Sequence, residues 1–131
     1  MLYILNIPRN GDIKNEIIDF VLKKGWEKAY ISGAIGSVTD ICMVNPQNDN
    51  IPPNLKGETI SGPSEILSFS GEVMKKKYMS NIMKKIYTDD DKPYFIHIHI
   101  SCSTKGQKVY GGGLRKCTAF LGLKIFLHEI Y

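Results

Sequence analysis

Two histidines, His97 and His99, are the residues of this sequence best placed to do chemistry. They lie in Tyr94–Leu114, YFIHIHISCSTKGQKVYGGGL, which opens as an alternating strand and passes through a polar turn at Thr104–Lys108. Side chains alternate across a strand, so Tyr94, Ile96, Ile98, Ile100 and Cys102 share one face and Phe95, His97, His99, Ser101 and Ser103 the other. The first is a core face. The second carries imidazoles and hydroxyls where a solvent face would carry Lys, Glu or Thr. At about 3.3 Å per residue the two imidazoles stand roughly 6.6 Å apart along the strand. Such a pair suits zinc, nickel or iron if a third ligand joins it, and it equally suits two hydrogen-bonded histidines lining a pocket or an interface. Cys102 points to the opposite face.

Other groups carry weaker signals. Gly111-Gly112-Gly113 would cradle a phosphate only if a helix followed. Leu114-Arg115-Lys116 leads into a strand pattern instead, so the glycines mark a close backbone approach or a bulge. Gly33-Ala34-Ile35-Gly36 opens between strands and does not fit a dinucleotide fingerprint. Lys75, Lys76, Lys77, Lys84 and Lys85 form a cluster suited to nucleic-acid phosphates or an acidic partner. They equally suit the solvated face of an amphipathic helix, with Asp89–Asp91 cancelling part of their field. Ser68, Ser70 and Ser101 have no G-x-S-x-G context, and no paired carboxylates stand out, so no catalytic residue is assigned.

The elements that must position these groups follow from periodicity. Leu2–Ile7 is apolar and ends at the turn signal Pro8-Arg9-Asn10-Gly11, which predicts a strand. Asp12 is placed to cap a helix whose apolar stripe is Ile13, Ile17, Ile18, Val21 and Leu22, with Lys23 and Lys24 in the last turn and Gly25 closing it. From Trp26 the texture is that of strands: Ala29–Ile35 and Val38–Asn45, separated at Gly36-Ser37, then a loop over Pro46–Asn54. Strand character returns at Lys56–Ser61 and Glu65–Gly71, with a break at Gly62-Pro63. Met74, Tyr78, Met79, Ile82, Met83 and Ile86 recur at spacings of three and four, predicting a helix near 74–88. Cys117–Glu129 reads as a last long strand, partly apolar on both faces through Phe120 and Phe126, as expected for burial between layers or at a subunit contact.

With 131 residues, 43% hydrophobic and 23% charged, the chain reads as one globular domain over 1–131, long enough to bury a core. The element order predicts an α+β fold dominated by an antiparallel sheet. No apolar run reaches 18 residues, so no membrane span is expected, and the N-terminus lacks the marks of a secretory signal. Cys42, Cys102 and Cys117 are odd in number and contain no C-x-x-C, which argues against a disulfide framework and suits a reducing cytoplasm. A net charge of +4 does not by itself imply nucleic acid.

Four segments together resemble the plants-and-prokaryotes conserved domain, also described as a predicted DNA-binding domain. They are Tyr3–Lys24, GAIGSVTD at Gly33–Asp40, EILSFSG at Glu65–Gly71, and PYFIHIHISCSTKGQKVYGGGL at Pro93–Leu114. The resemblance implies a curved, mainly antiparallel sheet with the N-terminal helix packed on it, assembled as a homotrimer. The 74–88 helix is then an insertion between two strands. In the related plant proteins a segment beginning Gly-Arg-Phe-Glu-Ile-Leu contacts partners. It corresponds here to Gly62, Glu65, Ile66 and Leu67, with Pro63 and Ser64 in place of the Arg and Phe. Prokaryotic relatives read H-x-H and later G-G-H around a metal. His97 and His99 match the first two, and Gly113 occupies the third position, so zinc or another divalent metal is not assured. The expected function is a non-enzymatic, oligomeric binding or regulatory module associated with DNA. The alternative is a metal- or small-molecule-binding enzyme using the His97/His99 pocket.

Overall fold

The computed structural model describes residues 1–87 and 91–131. Strand β1 spans Leu2–Ile7, helix α1 Ile13–Lys24, β2 Lys28–Pro46, β3 Leu55–Lys75, α2 Asn81–Ile86, β4 Tyr94–Thr104 and β5 Lys108–Ile130, with a single 3-10 turn at Lys76–Tyr78. Every strand pairing is antiparallel, and the strands run β1-β5-β2-β3-β4 across the sheet. The β4–β5 hairpin then pairs His99–Thr104 with Lys108–Gly113. Since β5 also pairs with β2, the sheet closes on itself at that end. A sheet that curls to meet its own edge gains a sheltered inner face. Ile31, Ile41, Ile98, Ile125 and Leu127 are almost wholly buried there.

Helix α1 seals the rest of this core. Asp12 accepts a hydrogen bond from the Asn15 backbone N–H at 2.9 Å, and Gly25 ends the helix in the left-handed conformation at φ 69°. Ile13, Ile17, Ile18 and Val21 are buried in the sheet core, whereas Leu22 is 53% exposed and falls outside the buried stripe. Tyr3, Phe20 and Trp26 form an edge-on cluster at the helix end. The Tyr94 hydroxyl donates to the Trp26 carbonyl at 2.6 Å, tying the start of β4 to the helix exit.

Several expected boundaries are corrected by the structure. The breaks at Gly36-Ser37 and Gly62-Pro63 do not interrupt the strands: β2 and β3 each run on for 19 and 21 residues. Gly36, at φ 135°, lies where any Cβ would run into the Gly122 carbonyl, so glycine here serves close strand contact and not a turn. The last strand begins at Lys108, not Cys117. The helix expected near 74–88 shrinks to Asn81–Ile86 because Val73–Lys75 belong to β3, paired with Ile96–Tyr94. Met74 is therefore a strand residue, and the spacing of three and four from it to Tyr78 spans a strand end and a 3-10 turn. Asp89 and Asp90 lie outside the described residues.

Candidate functional site

The histidines stand on the outer face of the sheet. The registers put Leu2 of β1, His128 of β5, Tyr30 of β2, Glu72 of β3 and His97 of β4 in one row across all five strands, and directly paired residues share a face. His99 pairs with Ser70 on one side and with Gly113 on the other. The register thus sets His99 beside Gly113, with His97 two residues back along β4 on the same face. β3 approaches β4 closely here, because a Cβ on Gly71 would meet the His97 carbonyl and come within 2.8 Å of the Ile98 Cα. The two imidazoles lie edge to face with ring centroids 5.0 Å apart. Phe95 stacks on His97 at 5.7 Å, and Tyr87 tilts against Phe95 at 5.1 Å. His97 Nδ1 is 3.7 Å from a Glu72 carboxylate oxygen, an ion-pair distance too long for a hydrogen bond. Partial burial lowers the His97 pKa below its ordinary value, the neighbouring His99 adds to that, and Glu72 opposes it. The lowered pKa favours the neutral His97 imidazole at pH 7, and that ring offers one acceptor nitrogen.

These residues do not fit a metal centre. Gly113 has no side-chain donor. Among the described residues no three His, Cys, Asp or Glu side chains are arranged around a common point. Cys102 and Cys117 lie buried on the inner side, away from the histidine face, and burial raises both thiols, Cys117 to about 12. The glycine run serves β-strand contact: a Cβ on Gly112 would come within 2.6 Å of the Asn45 side-chain nitrogen, while that nitrogen donates to the Gly111 carbonyl at 3.2 Å.

The lysine cluster is divided by the fold. Lys75 and Lys77 both pair with Glu27, at 2.5 and 3.2 Å. Those two ammoniums, together with the Tyr78 hydroxyl, lower the Glu27 pKa to about 2. Lys76 and Lys84 line a different feature, and Lys85 is exposed on α2. That feature is a cavity of about 570 Å³ between the start of α1, the 76–87 segment, β4 from Tyr94 to Ile98, and Gly113–Lys116. It reaches His97 and Gly113 at one end. Reading the sequence missed its cations Lys14, Lys92, Arg115 and Lys116; the only available signal was the Arg115-Lys116 pair directly after the glycines. A smaller hollow of about 220 Å³ lies over Tyr30, Glu72, His97 and His99 on the outer face. The segment Gly62–Leu67 is part of β3, with Leu67 an extra residue opposite Cys102–Ser101 that leaves its side chain 55% exposed.

Comparison with known proteins adds the family. A plant- and prokaryote-conserved protein of Pyrococcus horikoshii superposes with a TM-score of 0.78 at 23% identity, covering 100% of this chain and 79% of that one. A metal-containing protein of Archaeoglobus fulgidus gives 0.75 at 26% identity, over 98% of this chain and 79% of that one. A Bacteroides thetaiotaomicron protein described as a candidate DNA-binding protein gives 0.71 at 19% identity, over 99% and 78% respectively. No curated protein sequence matches the chain. The family model of the Plants and Prokaryotes Conserved domain matches residues 1–131. With the whole length matched and the sheet, helix and H-x-H strand in place, the chain belongs to the Plants and Prokaryotes Conserved domain family.

Proposed function

We propose that this protein is a non-catalytic, homo-oligomeric binding module, assembled as a trimer in the cytoplasm and associated with DNA. One observation carries the reading: the outer sheet face exposes large apolar side chains in register with the histidine row. Leu2 is 49% exposed, Ile4 51%, Tyr30 47% and Ile130 41%. A run of such side chains on adjacent strands marks a surface that a partner covers, and a second copy of the same chain is the partner this family reading favours. The DNA clause draws on relatives described as candidate DNA-binding proteins and on the cations of the 76–85 segment. Glu65, Ile66 and Leu67 are a further candidate contact for a protein partner.

Two measurements test it. Light scattering at micromolar concentration is expected to give three times the 14.8 kDa chain mass, and a monomer would overturn the assembly. Gel shifts on random duplex DNA are expected to weaken steeply with salt, and to weaken further in Lys84→Glu/Lys85→Glu. Absence of any shift at low salt removes the DNA clause alone.

A further inference from the structure

We infer that the 570 Å³ cavity is a binding site for a small phosphorylated aromatic ligand of the nucleotide class. Its volume lies within the roughly 300–1,000 Å³ that small-molecule sites occupy. Three further features select the ligand chemistry.

The first is charge. Among the described residues, Lys14, Lys76, Lys84, Lys92, Arg115 and Lys116 line the cavity against one carboxylate, Asp12, whose oxygen is engaged in capping α1. Lys14, Lys76 and Lys92 have partners within the protein, so the argument rests on Lys84, Arg115 and Lys116. The second is where two of those sit. Cys42 pairs with Lys116 and Met43 with Leu114, leaving Arg115 as an extra residue in β5. In a regular strand successive side chains point to opposite faces. The bulge cancels that alternation, and both Arg115 and Lys116 border the cavity. A guanidinium and an ammonium from adjacent lining residues suit a phosphate, which a guanidinium can grip with two parallel bonds.

The third is the opposite wall. β4 between Tyr94 and Ile98 pairs with β3 on one side, while β5 meets β4 only from His99 onward. Along that open edge stand Phe95 and Tyr87, their rings inclined at 49°, with Ile18, Met79 and Leu114 nearby. Phe95 is buried beneath its neighbours, so the half-buried Tyr87 ring is the aromatic surface left to a ligand. An inorganic anion would leave it unused, and an apolar ligand would strip water from the cations without compensation. A planar ring carrying a phosphate satisfies both walls, through stacking and charge-assisted hydrogen bonds. The cavity shares His97 with the hollow on the outer face but none of the exposed apolar residues Leu2, Ile4, Tyr30 or Ile130.

The test is calorimetric titration of the intact protein at low salt with adenosine 5′-monophosphate, adenosine and inorganic phosphate. The monophosphate is expected to bind saturably, near one per chain, and more tightly than either part alone. Arg115→Glu/Lys116→Glu is expected to weaken it by about tenfold or more, the loss of two charge-assisted contacts. Lys84→Glu on a separate element should act in the same direction, and far-UV circular dichroism confirms that each variant is folded. Tyr87→Ala should weaken the monophosphate and leave phosphate unchanged. No binding of the monophosphate at millimolar concentration, or unaltered binding in both charge variants, overturns the inference. Phosphate binding as tightly as the monophosphate also overturns it, by reducing the site to an anion patch. DNA shifts that persist when nucleotide binding fails would leave the DNA reading standing, and the converse result would remove only that reading.

Discussion

At the scale of single residues, His97 is where environment and titration meet. Its ring is partly buried between Phe95 and Tyr87, beside His99 and Glu72. Burial comes first among the causes that lower its pKa from 6.5, ahead of His99, and Lys14 acts in the same sense against Glu72. The sign follows from linkage: the unfolded chain takes up the proton more readily than the folded one. His97 therefore supports the fold fully above pH 6.5, and that support is lost as the pH falls through its lowered folded value. Urea midpoints measured from pH 8 to 5.5 on wild type and His97→Gln check this. The difference between the two is expected to shrink steadily on acidification. A difference independent of pH would mean that the ring is held for its packing and not for its neutral charge state.

At the scale of elements, the glycines set how closely strands lie, and Gly71 is the sharpest case. Its missing Cβ is what allows β3 to lie against the His97 carbonyl and the Ile98 Cα. Gly71→Ala has no flexible side chain to displace, only backbone, so the strands must part. Overpacking of this kind lowers stability by about 1–3 kcal/mol. Chemical denaturation is the measurement, and imidazole resonances of His97 and His99 should shift with it. An alanine variant as stable as wild type would show that the β3–β4 spacing is not fixed here. The same residue explains what could be read from sequence. Alternation exposed the two faces of β4, and the capping pair Asp12 and Gly25 located α1, because both signals are local. Gly36 and Gly62 looked like breaks since a glycine in a turn is alike in sequence to one under a neighbouring strand, as at Gly36, or one taking positive φ at a bulge, as at Gly62. Met74 looked helical because three-and-four spacing also arises by chance where a strand ends in a 3-10 turn. The cavity was hidden for a stronger reason. Lys84, Arg115 and Lys116 are far apart in the chain or ordinary in context, and only the fold, with its bulge opposite Cys42–Met43, brings them to one cavity lining.

At the scale of the whole molecule, the closed end of the sheet and α1 account for the inner face, and the proposed assembly is tested on the outer face. Five strands contribute to one row, from Leu2 through His128, Tyr30 and Glu72 to His97. Its apolar members are too exposed to support the fold of a single copy, so charges placed there should leave that fold intact, within about 0.5 kcal/mol. They should act instead on association, where burying an unpaired charge is strongly unfavourable. Ile4→Lys combined with Tyr30→Glu tests β1 and β2 together. The expected outcome is an unchanged circular dichroism spectrum with a mass falling to that of one 14.8 kDa chain. Leu121→Lys serves as the comparison, since Leu121 is 71% exposed and lies at a bulge of β5 beside Ser37, away from the histidine row. If that variant dissociates while the Ile4/Tyr30 pair does not, subunits meet along the Ser37–Leu121 region, and the histidine shelf faces solvent. If the Ile4/Tyr30 pair dissociates, the hollow over Tyr30, Glu72, His97 and His99 lies at the subunit boundary. Its polar groups would then have to be satisfied by a neighbouring copy, which gives a physical reason for histidines and serines on a face where Lys or Glu would serve a monomer better.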